Sequence, residues 1–139
     1  MRNANLLFCL TGEYSEEDVR ALQGLLRQMA ADRAWHRAPP AFVDERDASS
    51  CSQPDDVPIR TVGGVFILEA PASVPDRSTE TRQLEEVEYL VGRLAGFSRD
   101  RQVELELELA GEFIGDIVDG DVSQSISTGL IDEWRRGLS

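Results

Sequence analysis

The sequence predicts an α+β domain: a mostly antiparallel sheet with two helices packed on one face, in the order β-α-β-β-α-β-β-α. Three observations predict it. Val103-Glu104-Leu105-Glu106-Leu107-Glu108-Leu109 alternates apolar and acidic residues without a break, which is the period of a strand with one dry and one wet face. Two segments, one after Ser15 and one after Ser78, repeat apolar residues at helical spacing. The other apolar runs are short and bounded by Gly- and Pro-bearing breaks, as strands are. At 139 residues the chain has the size of one domain, and 1–139 is expected to form a single unit.

Leu6-Leu7-Phe8-Cys9-Leu10 is a continuous apolar run closed by Thr11-Gly12, which reads as a strand buried on both faces. Ser15 opens a helix. Glu16, Glu17 and Asp18 put negative charge in its first turn, and Ser15 with Asp18 has the spacing of a capping box. Val19, Leu22, Leu25, Leu26 and Met29 share one face, and the helix should run to about Arg33. Ala41-Phe42-Val43 is a short candidate strand, and 48–58 reads as an exposed loop. Residues 59–70 form a strand centred on Val65-Phe66-Ile67-Leu68, in which Gly63-Gly64 is expected to mark a bulge or bend.

A connection at 71–75 leads to a second helix beginning at Ser78 or Thr79. Its apolar stripe is Leu84, Val87, Leu90, Val91 and Leu94. Glu85, Glu86 and Glu88 lie off the stripe, and Gly96 with Ser98-Arg99-Asp100 should end the helix. The alternating strand then turns at Ala110-Gly111 and returns as 113–118. Asp119-Gly120-Asp121 turns the chain again, into a helix from about Ser123 with Ile126, Leu130, Ile131, Trp134 and Leu138 on its apolar face. Gly129 weakens the middle of that helix. The first six elements, in this order, resemble a ferredoxin-like split β-α-β arrangement.

The 26 acidic residues outnumber 14 basic ones, all of them arginine, for a net charge of −12. Such a chain is repelled by nucleic acid and by anionic membrane surfaces and attracted to basic surfaces. Residues 100–139 carry 10 acidic and 3 basic residues, so −7 of the −12 falls in this last stretch. The apolar run near the start is too short for a signal peptide, and no stretch approaches a membrane span. We therefore expect a cytoplasmic protein.

Catalytic chemistry finds little support. His36 is the sole histidine, with no GxSxG elbow to pair with it, and at a helix end it is explained as a surface residue. Cys9 and Cys51 form no CxxC; a disulfide between them is possible in principle, and Cys9 reads more simply as a small apolar residue. Asp116, Asp119 and Asp121 around Gly120 lack the spacing and the later glutamate of a calcium loop, and a hairpin turn accounts for Asp119-Gly120. Gly63-Gly64 is followed by no lysine and is not a phosphate loop. We expect no enzyme activity, no metal and no cofactor.

The acidic ladder Glu104, Glu106, Glu108 is different. Alternate strand residues stand about 6.6–6.8 Å apart on one face, so three carboxylates make a line of negative charge. Asp116 on the returning strand extends it, with Asp119 and Asp121 beyond. A solvated outer face that discourages edge pairing explains the pattern without function; an anionic contact surface for a basic partner explains it with one. Trp35 and Arg37 are further candidate anchors, because aromatics and arginine are enriched in interfaces.

The stretch Glu112-Phe113-Ile114-Gly115-Asp116-Ile117-Val118-Asp119-Gly120, with Ser125-Ile126, Gly129-Leu130-Ile131 and Glu133-Trp134 after it, is similar in style to small acidic bacterial immunity proteins. The resemblance covers roughly the last 30 residues. It implies a non-enzymatic protein that binds one basic-surfaced partner, a cognate antibacterial toxin acting in the cytosol, and occludes its active site. The alternative is a small-molecule-binding or regulatory module of ferredoxin-like form.

Overall fold

The computed structural model describes residues 4–47, 59–68 and 77–138, so the 48–58 loop, the 71–75 connection and Cys51 lie outside it. Six strands, β1 (Ala4–Thr11), β2 (Ala41–Asp47), β3 (Ile59–Leu68), β4 (Glu104–Leu109), β5 (Glu112–Val118) and β6 (Asp121–Val122), form one sheet in the order β2-β3-β1-β4-β5-β6. Every pairing is antiparallel. Helices α1 (Glu16–Asp32) and α2 (Arg77–Arg101) pack on one side, joined by a C-terminal helical run that starts as α3 (Gln124–Ile126) and ends as α4 (Glu133–Leu138). The expected α+β class, with an antiparallel sheet and its helices on one face, is what the chain forms. No described helix is long and apolar enough to cross a membrane.

The core lies between the sheet and the helices. Leu6, Phe8 and Leu10 of β1, Val62, Phe66 and Leu68 of β3, and Leu105 and Leu107 of β4 meet Leu22, Leu26 and Met29 of α1 and Val87, Leu90 and Leu94 of α2. The expectation that β1 is buried on both faces is corrected: Leu7 is 37% exposed and Cys9 half-buried on the far side. A central antiparallel strand covered on one side needs apolar residues at alternate positions only.

Gly63-Gly64 marks no bulge. Register is unbroken from Ala4↔Leu68 to Cys9↔Gly63, and on the other side from Ala41↔Val65 to Asp47↔Ile59. The glycines permit close approach instead. A Cβ at 64 would sit 2.4 Å from Cζ of Phe8, whose ring covers that position, and one at 63 would lie 1.8 Å from the Phe8 carbonyl oxygen. The bulge lies in β5, where Leu107 pairs with Gly115 and Glu108 with Phe113, leaving Ile114 as the extra residue.

β2 is longer than the three residues expected. Its Asp44 takes both oxygens to Arg60 of β3 at 3.0 Å, and Arg60 also binds Glu16 of α1. These hydrogen bonds hold both carboxyls below the usual range and push the guanidinium further up.

The second helix passes through Gly96 and Ser98, where an end was expected. Ser98 is buried, not solvated: its hydroxyl donates to the Val103 carbonyl (2.6 Å) and accepts from the Gly120 N–H (3.2 Å). The helix closes with Gln102 at φ 57° and a Val103 N–H to Ser98 carbonyl bond of 3.2 Å, the 6→1 closure of a Schellman cap. Glu86, placed off the apolar stripe, is also buried. Its carboxylate accepts the His36 backbone N–H at 2.7 Å, with Arg82 Nε 3.9 Å away. The C-terminal run is interrupted as Gly129 suggests, by a π-helical stretch at Ser127–Asp132 between α3 and α4. Ile126 is fully buried, and Leu130, Ile131 and Trp134 pack partly against the core.

Candidate functional site: the open face of the sheet

Strand β4 decides what each face of the sheet carries. Its leucines point to the helices, so Glu104, Glu106 and Glu108 point to the other face, away from the described helices. The registers extend this face into rows. One row runs Val43, Gly63, Cys9, Glu106, Asp116 across five strands. Beside it runs Ala41, Val65, Leu7, Glu108, Phe113; on the other flank are Thr11, Glu104, Val118 and Asp121.

Glu106 and Asp116 thus stand directly opposite each other, a pairing that like charges destabilise. Among the described residues, arginines form ion pairs with Glu16, Asp18, Asp32, Asp44, Glu86, Glu88, Asp100, Asp132 and Glu133, and none pairs with Glu104, Glu106, Glu108 or Asp116. The ladder is left uncompensated while arginines neutralise carboxylates elsewhere. Leu7, Ile67 (40% exposed) and Phe113 (60% exposed), the exposed large apolar side chains among the described residues, lie on this same face.

Val43 and Cys9 flank Gly63 in the row, and no side chain stands between them. A hollow of about 220 Å³ opens on this face, walled by Leu7, Phe8, Cys9, Val43, Thr61 and Gly64 and bordered by Glu106 and Glu108. Burial pushes the Cys9 thiol pKa up, and the charges of Glu106 and Glu108 push it further. Cys9 pairs directly with Glu106, and both carboxylates border the hollow.

The other expected site residues fall elsewhere. Asp121 shares the open face through its pairing with Val118, whereas Asp119 sits at the tip of a two-residue turn with Gly120, at φ 51° and 82°. Positive φ at both positions is the type I′ hairpin geometry that Asp-Gly favours. Trp35 and Arg37 are not brought to the ladder. Trp35 lies on the helix side, its indole donating to the Met29 carbonyl at 3.0 Å and its ring edge-on to Phe66 and Tyr89 at 5.5 and 5.8 Å. The Arg33 guanidinium lies against Trp35 and Tyr89 at 5.3 and 5.0 Å, with its buried Nε unpartnered. Arg37 is exposed in the connection that follows.

Sequence reasoning missed the apolar half of the face: Leu7, Cys9, Val43, Thr61 and Ile67. The glycine pair was the available signal, since glycine mid-strand marks close approach by a ligand or another backbone, and Gly64 lines the hollow. Among the described residues no group of three or more His, Cys, Asp or Glu is arranged to hold a metal ion. A second depression, an open groove of about 490 Å³ between α1 and α2, is lined by Leu25, Phe97, Arg93 and Arg101 and by Gly24, Gly92 and Gly96. No family model, curated protein or solved structure matches this chain.

Proposed function

We propose that this protein is a non-enzymatic binding protein that meets a basic-surfaced protein partner through the open face of its sheet. The observation that carries the reading is the uncompensated carboxylate row Glu104, Glu106, Glu108 and Asp116, set beside exposed Leu7, Ile67 and Phe113. Apolar anchors with a charged surround are the composition of a protein interface. Complementary charge speeds encounter, to on-rates of order 10⁸–10⁹ M⁻¹s⁻¹ at low salt. Such speed suits an inhibitor that must capture its target before damage occurs. With the resemblance to immunity proteins, the favoured partner is a cognate antibacterial toxin acting in the cytosol, blocked by occlusion of its active site.

The test uses the partner recovered by affinity capture from the native organism. Glu104→Lys combined with Glu106→Lys should weaken the complex at least about tenfold, as loss of several interfacial charge contacts does. Thermal unfolding should not be lowered, because both side chains are exposed and Glu106→Lys removes the repulsion with Asp116. Unaltered binding removes the ladder from the interface. A native preparation that holds a metabolite and no stoichiometric protein favours the second reading, a small-molecule module, for which the groove between α1 and α2 is the specific support.

A further inference from the structure

The hollow on the open face has a shape and polarity that narrow what the partner must present. Its walls are the apolar side chains of Leu7 and Val43, the Cys9 thiol and the Thr61 methyl-bearing side chain; its border is the carboxylates of Glu106 and Glu108. Cys9 of β1 pairs with Glu106 and Leu7 with Glu108, so both carboxylates stand one strand spacing, about 5 Å, from the β1 residues of the wall. The two glutamates are alternate residues of one strand, about 6.6–6.8 Å apart, so one cation set between them can meet both. No described arginine occupies that position.

A ligand that fits must be apolar along most of its length and cationic at one end. A small cation would reach the carboxylates and leave the apolar walls wet; an aliphatic side chain would fill the walls and leave the carboxylates unpaired. A long basic side chain does both, laying its methylene stem along apolar surface while its head stays charged. Arginine adds a planar fork that can bond two carboxylates at once, where lysine offers a point charge. Resting on the open-face reading above, we propose that this hollow is a specificity pocket for one arginine side chain of the protein partner, its stem against Leu7, Val43 and Thr61 and its guanidinium between Glu106 and Glu108.

The experiment titrates N-acetyl-arginine amide into the intact protein and follows backbone amide resonances by NMR, with N-acetyl-citrulline amide as the neutral isostere and N-acetyl-leucine amide as the apolar control. Arginine amide should give saturable shifts at Cys9, Gly63 and Gly64. Citrulline and leucine amides should bind at least about tenfold more weakly, for want of charge-assisted bonds. Glu106→Gln with Glu108→Gln should abolish the preference for arginine. Thr61→Phe should fill the hollow and abolish the shifts while leaving thermal unfolding intact, since Thr61 is exposed on a strand that accepts aromatics. Substitution at Gly63 is avoided because a Cβ there would strike the β1 backbone.

Equal binding of leucine and arginine amides overturns the proposal, as do shifts confined to β4 that leave Cys9 and Gly63 unmoved. Binding of the captured partner distinguishes a failed pocket from a failed interface. If Thr61→Phe leaves partner binding intact while the Glu104→Lys, Glu106→Lys protein binds weakly, the pocket is wrong and the open-face interface stands. If both proteins bind like the unaltered chain, the interface is wrong and the pocket falls with it.

Discussion

Asp18 joins three parts of the chain through one carboxylate. It accepts the Ser15 backbone N–H at 2.9 Å and Arg101 Nε at 2.6 Å, while its own N–H donates to the Ser15 hydroxyl at 3.2 Å. Burial by itself would raise its pKa; the hydrogen bonds from Ser15 and Arg101 outweigh it and hold the carboxyl below the usual range. A depressed carboxyl pKa stabilises the fold above the unfolded-state value, about 3.9 for aspartate, and that contribution is lost as pH falls through the folded-state value. Asp18→Asn should therefore cost about 1–2 kcal/mol at neutral pH. In urea unfolding the gap from the unaltered protein should hold down to about pH 4 and close below it. A gap constant into strong acid would remove the carboxylate charge as its cause. The Ser15–Asp18 half of this arrangement was legible because a capping box is a spacing of three. The Arg101 half, 83 residues away, was not. Glu86 was misplaced for the same reason: its partner is a backbone N–H 50 residues distant.

Among the elements, those whose role is set by their own period were the readable ones. β4 could be assigned by face because strict alternation leaves one solution, and α1 and α2 because their apolar residues recur every third or fourth position. Elements that depend on a neighbour were misjudged. Ser98 reads as a helix stop until the Gly120 N–H of the β5–β6 turn is seen bonded to its hydroxyl, and Gly63-Gly64 reads as a bulge until the Phe8 ring is seen covering it. The glycine case has a direct test. Gly64→Ala should cost about 1–3 kcal/mol by overpacking against Phe8. In a double-mutant cycle, Phe8→Leu should recover part of that cost, because the colliding atom is the far end of the ring. Strict additivity in chemical denaturation would place the strain in the backbone instead.

For the whole molecule, the charge is unevenly answered. Among the described residues, arginine ion pairs stitch the helices to each other and to the sheet, while no arginine pairs with the mutually repelling carboxylates of the open face. Surface pairs contribute little each, so screening should relieve more repulsion than it removes attraction. Raising salt from about 0.01 M to about 0.5 M should lift Tm by a few degrees, and Glu104→Gln with Glu106→Gln should shrink that rise. A falling Tm would show that the ion pairs outweigh the ladder.

The place of β1 has a consequence for the order of assembly. It precedes every other described strand, yet it lies in the middle of the sheet, hydrogen-bonded to β3 from Ala4 to Cys9 and to β4 from Leu6 to Thr11. During synthesis its apolar run must wait for residues 63–68 before one side can pair and for residues 104–109 before the other can. Closing such long loops before any pairing is gained slows folding. A nascent chain halted before β4 therefore keeps an open edge on its most apolar strand, the interval in which it is most exposed to aggregation and to chaperones.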